Sequence, residues 1–169
     1  MILVDKDDNQ TGVMEKMEAH RKAALHRAFS IFVFNSQGQL MIQQRALHKY
    51  HSPGLWTNTC CSHPRPGETT LDAAHRRLIE EMGFDCDLNE VFHFTYKASF
   101  SNNLTEHEID HVFFGVYDSI PALNSDEVSS YRMVSLNEIA KEMSDNPEMF
   151  TIWFRVAFDR VQKYHEANS

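Results

Sequence analysis

The chain has 169 residues, 42% hydrophobic and 24% charged, the balance of a folded globular protein rather than a disordered tract. Its formal net charge of −8 argues against a nucleic-acid or anionic-membrane surface, which wants a basic face. It leaves room for a small anionic ligand, which a few local cations can hold.

In chain order, residues 1–28 read as polar and irregular, with helical character from Met14 to Leu25. Phe29 to Phe34 is a strand, Asn35-Ser-Gln-Gly38 a turn, and Gln39 to Arg45 the return strand of a hairpin. A loop over 46–55 closes at Pro53-Gly54, and Trp56 to Cys61 reads as a short strand. Thr69 or Thr70 caps a helix that runs to Met82 and stops at Gly83. Val91–Phe100 and His107–Tyr117 are aromatic and β-branched, hence two further strands. Arg132–Val134 is a short strand before a helix from Leu136 to about Met143. A last helix, about Thr151 to Tyr164, presents Trp153, Val156, Ala157 and Val161 as its apolar face. Strands interspersed with helices predict an α+β fold, layered α/β/α, formed by residues 1–169 as a single domain.

Cys60, Cys61 and Cys86 are the three cysteines. An odd count argues against a disulfide framework. Adjacent Cα atoms lie about 3.8 Å apart, so a Cys60–Cys61 bridge would be strained. The opening residues turn acidic at once and read as neither a secretory signal nor a transit peptide. The expectation is a monomer in a reducing, cytoplasmic compartment, without nucleic-acid or membrane partners.

If residues 57–63 are extended, Cys61 and His63 point to one side. A thiol two residues from an imidazole can share a site or a metal; a buried strand cysteine followed by a histidine is the plainer alternative. In the helix that follows, Arg76–Glu80 and Arg77–Glu81 are i, i+4 pairs, which at a surface are worth about 0.3 kcal/mol each. Their order, base before acid, is the poorer one. The glutamates also occupy the last turn, where the helix dipole disfavours them. Acids and bases so misplaced for the helix suggest a ligand, most simply a metal-bound anion.

Glu106, Glu108 and Asp110 share one strand face, continued by Val112, Phe114 and Val116; Ile109 and Phe113 make the other face apolar as well. Such a strand is covered on both sides. Its acidic end therefore enters a pocket, where unpaired carboxylates are costly and metal coordination resolves the cost.

Ser62, Glu68, Arg76, Leu78, Glu80, Glu81, Gly83 and Phe84 fall at the spacing of the Nudix box, G-x5-E-x7-R-E-U-x-E-E-x-G-U, with U apolar. Two positions depart from it: Ser62 replaces the opening glycine, and Arg77 replaces a metal-binding glutamate. Thr57-Asn-Thr-Cys-Cys-Ser-His-Pro64 just before the box resembles the type 1 isopentenyl-diphosphate isomerases, a branch of the Nudix superfamily. So do Glu15–His20, Leu25–Phe29, Gln44–Lys49 and Glu106–Asp110, in the same order.

The resemblance implies a Nudix-like mixed sheet flanked by helices, with residues 1–28 adding metal and substrate contacts. It implies the interconversion of isopentenyl and dimethylallyl diphosphate, with an isoprenoid diphosphate as the small-molecule partner. His20, His26, His63, Glu106 and Glu108 would hold one tightly bound Mn²⁺, Mg²⁺ or Zn²⁺, a mixed N/O set suited to a near-octahedral centre. Glu81 would hold the Mg²⁺ that accompanies the diphosphate. Lys16, Arg45, Lys49 and Arg77 would contact the diphosphate, and Trp153 would face a carbocation. Cys61 and Glu108 would form the acid–base pair, with Tyr96 assisting the glutamate. His48, His51, His75, His93, His107, His111 and His165 are read as ordinary surface or core residues.

Overall fold

The structure, a computed structural model, describes residues 1–169. Its central strand, β3 (His26–Phe34), is almost wholly buried, and from Ile31 onward it is apolar on both faces. It pairs in parallel with β8 (Thr105–Val116) along its whole length, from His26↔Glu108 to Phe34↔Val116. β8 pairs antiparallel with β7 (Asn89–Ser99). The other flank of β3 is shared. β1 (Ile2–Val4) meets its start, β6 (Cys60–Ser62) its middle and β4 (Leu40–Arg45) its end. β2 (Gln10–Val13) extends from β1, while β5 (Trp56–Thr57) and β9 (Val128–Val134) pair with β4.

Successive side chains of β3 point to opposite faces, and each face has its own helix layer. Phe29, Ile31 and Val33 pack under α2 (Thr70–Met82), against Ala74, Leu78 and Met82. Phe32 and Phe34 pack under α3 (Leu136–Asp145) and α4 (Ile152–Ala167), against Ile139, Phe154 and Phe158. This is the expected α+β layering.

Local chemistry sets the ends of α2. Thr69 is extended and its side chain accepts from the Asp72 amide at 3.1 Å. Gly83 closes the helix at φ 72°, where an added Cβ would stand 2.3 Å from the Ala122 carbonyl oxygen. Thr69→Ala should destabilise the fold by about 1 kcal/mol through the orphaned amide. Urea denaturation checks this: an unchanged midpoint removes the cap from the account.

Four expectations need correction. The strand expected over Arg132–Val134 begins at Val128, its added residues paired with Gln43 to Arg45 of β4. Residues 1–28 are not irregular: β1 and β2 form a hairpin and α1 (Lys16–Lys22) follows, capped by Glu15. Strands of three and four residues are too short to display a period of two; these pair with each other, and β1 joins the sheet at the start of β3. The strand expected over Trp56–Cys61 is broken into β5 and β6. At the break, Asn58 Nδ2 donates to the Ile31 and Cys60 carbonyls and Thr59 Oγ1 to that of Met41, replacing ladder bonds with side-chain bonds. Val156 does not belong to the buried face of α4; it is half exposed, and Phe154 and Phe158 take that role. No helix is long and apolar enough to cross a membrane.

Candidate active site

β3 organises the site. On one flank β6 places Cys61 opposite Ser30, and on the other β8 places Glu108 opposite His26. Strand spacing puts the β6 and β8 backbones about 10 Å apart across β3. Side chains from both flanks therefore reach into one cleft, which with the solvent at its mouth holds about 550 Å³ of empty space. Its wall includes Cys61, His63, Glu106, Glu108, Asp110 and Trp153, with Lys16, Arg45, Lys49, Arg77 and Glu81 around them. Tyr96 reaches the same group through Glu106, and His20 and His26 lie behind His63.

His20, His26 and His63 each offer a ring nitrogen within 4.8 Å of the other two. His20 Nδ1 donates to the Lys16 carbonyl and His26 Nδ1 to the Ala24 carbonyl, both at 2.8 Å. These bonds fix the tautomers and leave each Nε2 a lone pair aimed inward. Both Nε2 atoms are buried without a hydrogen-bond partner. Glu108 Oε1 lies 3.8 Å from His26 Nε2 and 3.6 Å from His63 Nε2, too far for hydrogen bonds. Burial and the His63 charge lower His20 to about 4, so it is a neutral donor at pH 7. Burial would raise Glu108, but His26 and His63 outweigh it and hold the carboxylate ionised. Burial, the largest influence, lowers His63 as well, whereas at His26 burial is outweighed by Glu108, which raises it. Imidazole nitrogens, an anionic carboxylate and orphaned lone pairs converging on one point are the donor set that a divalent cation requires, and such an ion would displace any proton held on His26.

The cationic side of the cleft is crowded. Burial, then Lys49 and Arg45, lower the Lys16 ammonium below its usual range. Like charges held this close are relieved by an anion between them. Arg77, the departure from the Nudix box, bonds Glu80 at 2.7 Å and Glu81 at 2.9 Å. Glu81 is buried and also accepts from Cys60 Sγ at 2.8 Å. The adjacent cysteines thus face opposite ways: Cys60 into the α2 core, Cys61 into the cleft, where burial pushes its thiol up. The Trp153 ring carries the Arg45 guanidinium 5.2 Å from its centroid.

Two placements differ from expectation. Tyr96 Oη donates to Glu106 at 2.6 Å rather than to Glu108, because the β7–β8 pairing sets Tyr96 opposite Glu108 and its long ring reaches diagonally past it. His51, read as ordinary, is buried in the cleft wall. Its Nε2 lies 3.0 Å from Glu106 Oε1, and its ring stacks on Phe100 and meets the edge of Trp153. Its closeness in sequence to Arg45 and Lys49 was the available signal. Glu127, which pairs with both Lys49 and Arg77, and the Ser30–Asp110 bond of 2.7 Å had none. Burial and the Glu108 charge raise Asp110 well above the carboxylate range.

A NUDIX domain profile matches residues 24–154. Solved structures with the same fold include DR0079 from Deinococcus radiodurans (TM-score 0.79, 21% identity, 94% of this chain and 96% of that one). A MutT protein from Methanosarcina mazei Go1 also aligns (TM-score 0.69, 19% identity, 86% and 96%). The chain thus carries a NUDIX domain in a NUDIX fold. The isopentenyl-diphosphate Delta-isomerase of Pectobacterium atrosepticum is 56% identical over 99% of this chain and 93% of its own length. Isopentenyl-diphosphate Delta-isomerase 2 of Aromatoleum aromaticum is 53% identical over 95% and 85%. The chain belongs to the isopentenyl-diphosphate Delta-isomerase branch of the NUDIX family.

Proposed function

We propose that this chain interconverts isopentenyl diphosphate and dimethylallyl diphosphate by a 1,3-allylic proton shift, with Cys61 and Glu108 as the proton-transferring pair. The observation that carries this reading is their approach to one cleft from opposite flanks of β3. An unactivated alkene is a weak base, and protonating it builds positive charge on a tertiary carbon. The reaction needs a donor at one carbon, an acceptor at another, and little water between them.

Lys16, Arg45, Lys49 and Arg77 anchor the diphosphate, and the repulsion that Lys16 meets from Lys49 and Arg45 favours an anion there. The alkene end then lies among Cys61, Glu108 and Trp153. The indole face contributes about 1–2 kcal/mol to a desolvated cation. Tyr96 and His51 hold the two oxygens of Glu106, which fixes the wall beside Glu108. Glu108 therefore meets the substrate in one orientation. Arg77 occupies the position of a hydrolase carboxylate and binds the anion without activating water.

His20, His26, His63, Glu106 and Glu108 would hold the tightly bound divalent cation and Glu81 a Mg²⁺ on the diphosphate; when bound, these tune the proton affinity of Glu108 and neutralise the substrate. Glu81→Gln should raise the Mg²⁺ concentration needed for half-maximal activity while leaving kcat at saturating Mg²⁺ close to wild type. An unchanged Mg²⁺ dependence takes Glu81 out of that role.

The deciding assay uses labelled isopentenyl diphosphate with Mg²⁺ in ²H₂O. Dimethylallyl diphosphate carrying deuterium, with no phosphate released, is the expected product. Phosphate or isopentenyl monophosphate without isomerisation would make the cleft a hydrolase site instead.

A further inference from the structure

A second group of ligand-type side chains lies on the face of β7–β8 turned away from the cleft. His93 and His111 are direct cross-strand partners there. In a regular strand Glu90, three residues before His93, would point to the opposite face. The register slips between Glu90 and Phe92, however, so that Glu90 pairs with Phe113 and turns to the histidine side. Re-aiming a side chain is what a β-bulge does. One ligand atom from each of Glu90, His93 and His111 lies within 4.8 Å of the other two.

The orientation of His111 is also set. Its Nδ1 faces the Glu90 carboxylate, and its Nε2 lies 2.8 Å from Asp8 Oδ2. Asp8 sits in the β1–β2 turn at φ 65°. It is held there by Arg27, whose Nε donates to Oδ1 at 2.8 Å and whose Nη2 donates to the Asp8 carbonyl at 2.6 Å. A carboxylate on one ring nitrogen presents the other as a ligand lone pair, the usual support behind a metal-bound histidine. Arg27 balances the charge of Asp8, which leaves Asp8 to orient the ring.

We infer that Glu90, His93 and His111 form a second divalent transition-metal site, with Asp8 as its positioning residue. Two imidazoles and one carboxylate favour Zn²⁺, Co²⁺ or Ni²⁺ over Mg²⁺. Glu90 and His93 are exposed, so the remaining coordination positions open to solvent and the ion exchanges freely. Bound there, the ion ties β7 to β8 behind Tyr96, Glu106 and Glu108, and stabilises the folded chain in proportion to its occupancy.

Co²⁺ is a suitable probe. The full chain is titrated with Co²⁺ in excess Mg²⁺ and followed by visible absorption and equilibrium dialysis, alongside E90Q and H93Q. The readout is the difference in stoichiometry. Both variants should bind one equivalent less than wild type, with unchanged isomerase kcat, and should lose the part of the Co²⁺-induced rise in Tm that the second equivalent produces. D8N should retain the equivalent but bind it about 10–100-fold more weakly. Equal stoichiometry in wild type, E90Q and H93Q overturns the site. Unchanged affinity in D8N removes Asp8 from it.

Discussion

Cys61→Ala should fold, bind diphosphate and lose turnover. The change deletes one half-buried sulfur that makes no hydrogen bond and leaves the β6 pairing with Ser30 in place. The basic residues Lys16, Arg45, Lys49 and Arg77 are untouched, so KM should stay near wild type. Removing a positioned proton donor or acceptor costs about 10²–10⁴-fold in rate, and kcat should fall by at least that much. Steady-state kinetics at saturating Mg²⁺, with a thermal melt as the folding control, reads both quantities. A variant with near-wild-type kcat takes Cys61 out of the mechanism. Cys60→Ala is the matching control. Its thiol supports Glu81 from the core side, so it should alter Mg²⁺ dependence and stability while sparing the chemical step.

Glu108→Gln should lose both metal and turnover. Glutamine keeps the shape of the side chain but removes the negative charge that faces His26 and His63 at 3.8 and 3.6 Å. The amide can neither give nor take the proton in question, so kcat should fall by about 10²–10⁴-fold or more. Affinity for the tightly bound ion should drop by at least about tenfold, the lower end of what losing even an outer-shell partner costs. Elemental analysis after desalting and turnover at saturating metal separate the two effects. If metal-saturated Glu108→Gln regains full turnover, Glu108 binds the ion without transferring the proton. If the variant retains metal as wild type does but is inactive, only the proton-transfer role stands.

The two histidine–carboxylate groups invite comparison. In the cleft, His20 and His26 are wholly buried, with each Nδ1 tied to a backbone carbonyl. Behind β7–β8, His111 is oriented by Asp8 and Arg27, and His93 is open to solvent. Burial in the first group leaves orphaned lone pairs, so an ion there also relieves a desolvation cost. The outer group has no such cost to relieve, and its ion should exchange faster and bind more weakly.

Much of this protein is legible along the chain because local rules suffice for it. Thr69 and Gly83 mark the ends of α2 through cap chemistry, the alternation of β8 announces a buried acidic end, and Asn35–Gly38 closes a hairpin. The family resemblance adds proposed roles for Cys61, His63, Glu81 and the basic residues, and the structure brings these side chains to one cleft. Periodicity states which face of an element is covered, but not what covers it. The parallel β3–β8 pairing joins residues some eighty positions apart and sets His26 beside Glu108; no local pattern specifies it. The same limit hid the β1–β2 hairpin, the burial of His51 against Glu106 and the bridging role of Glu127. It also hid the bulge that turns Glu90 toward His93 and His111. Sequence by itself determined which residue types were available and, where cap or turn chemistry marks them, the ends of elements such as α2. Tertiary structure alone decided which of them meet, because long-range pairing depends on how several faces bury one another at once.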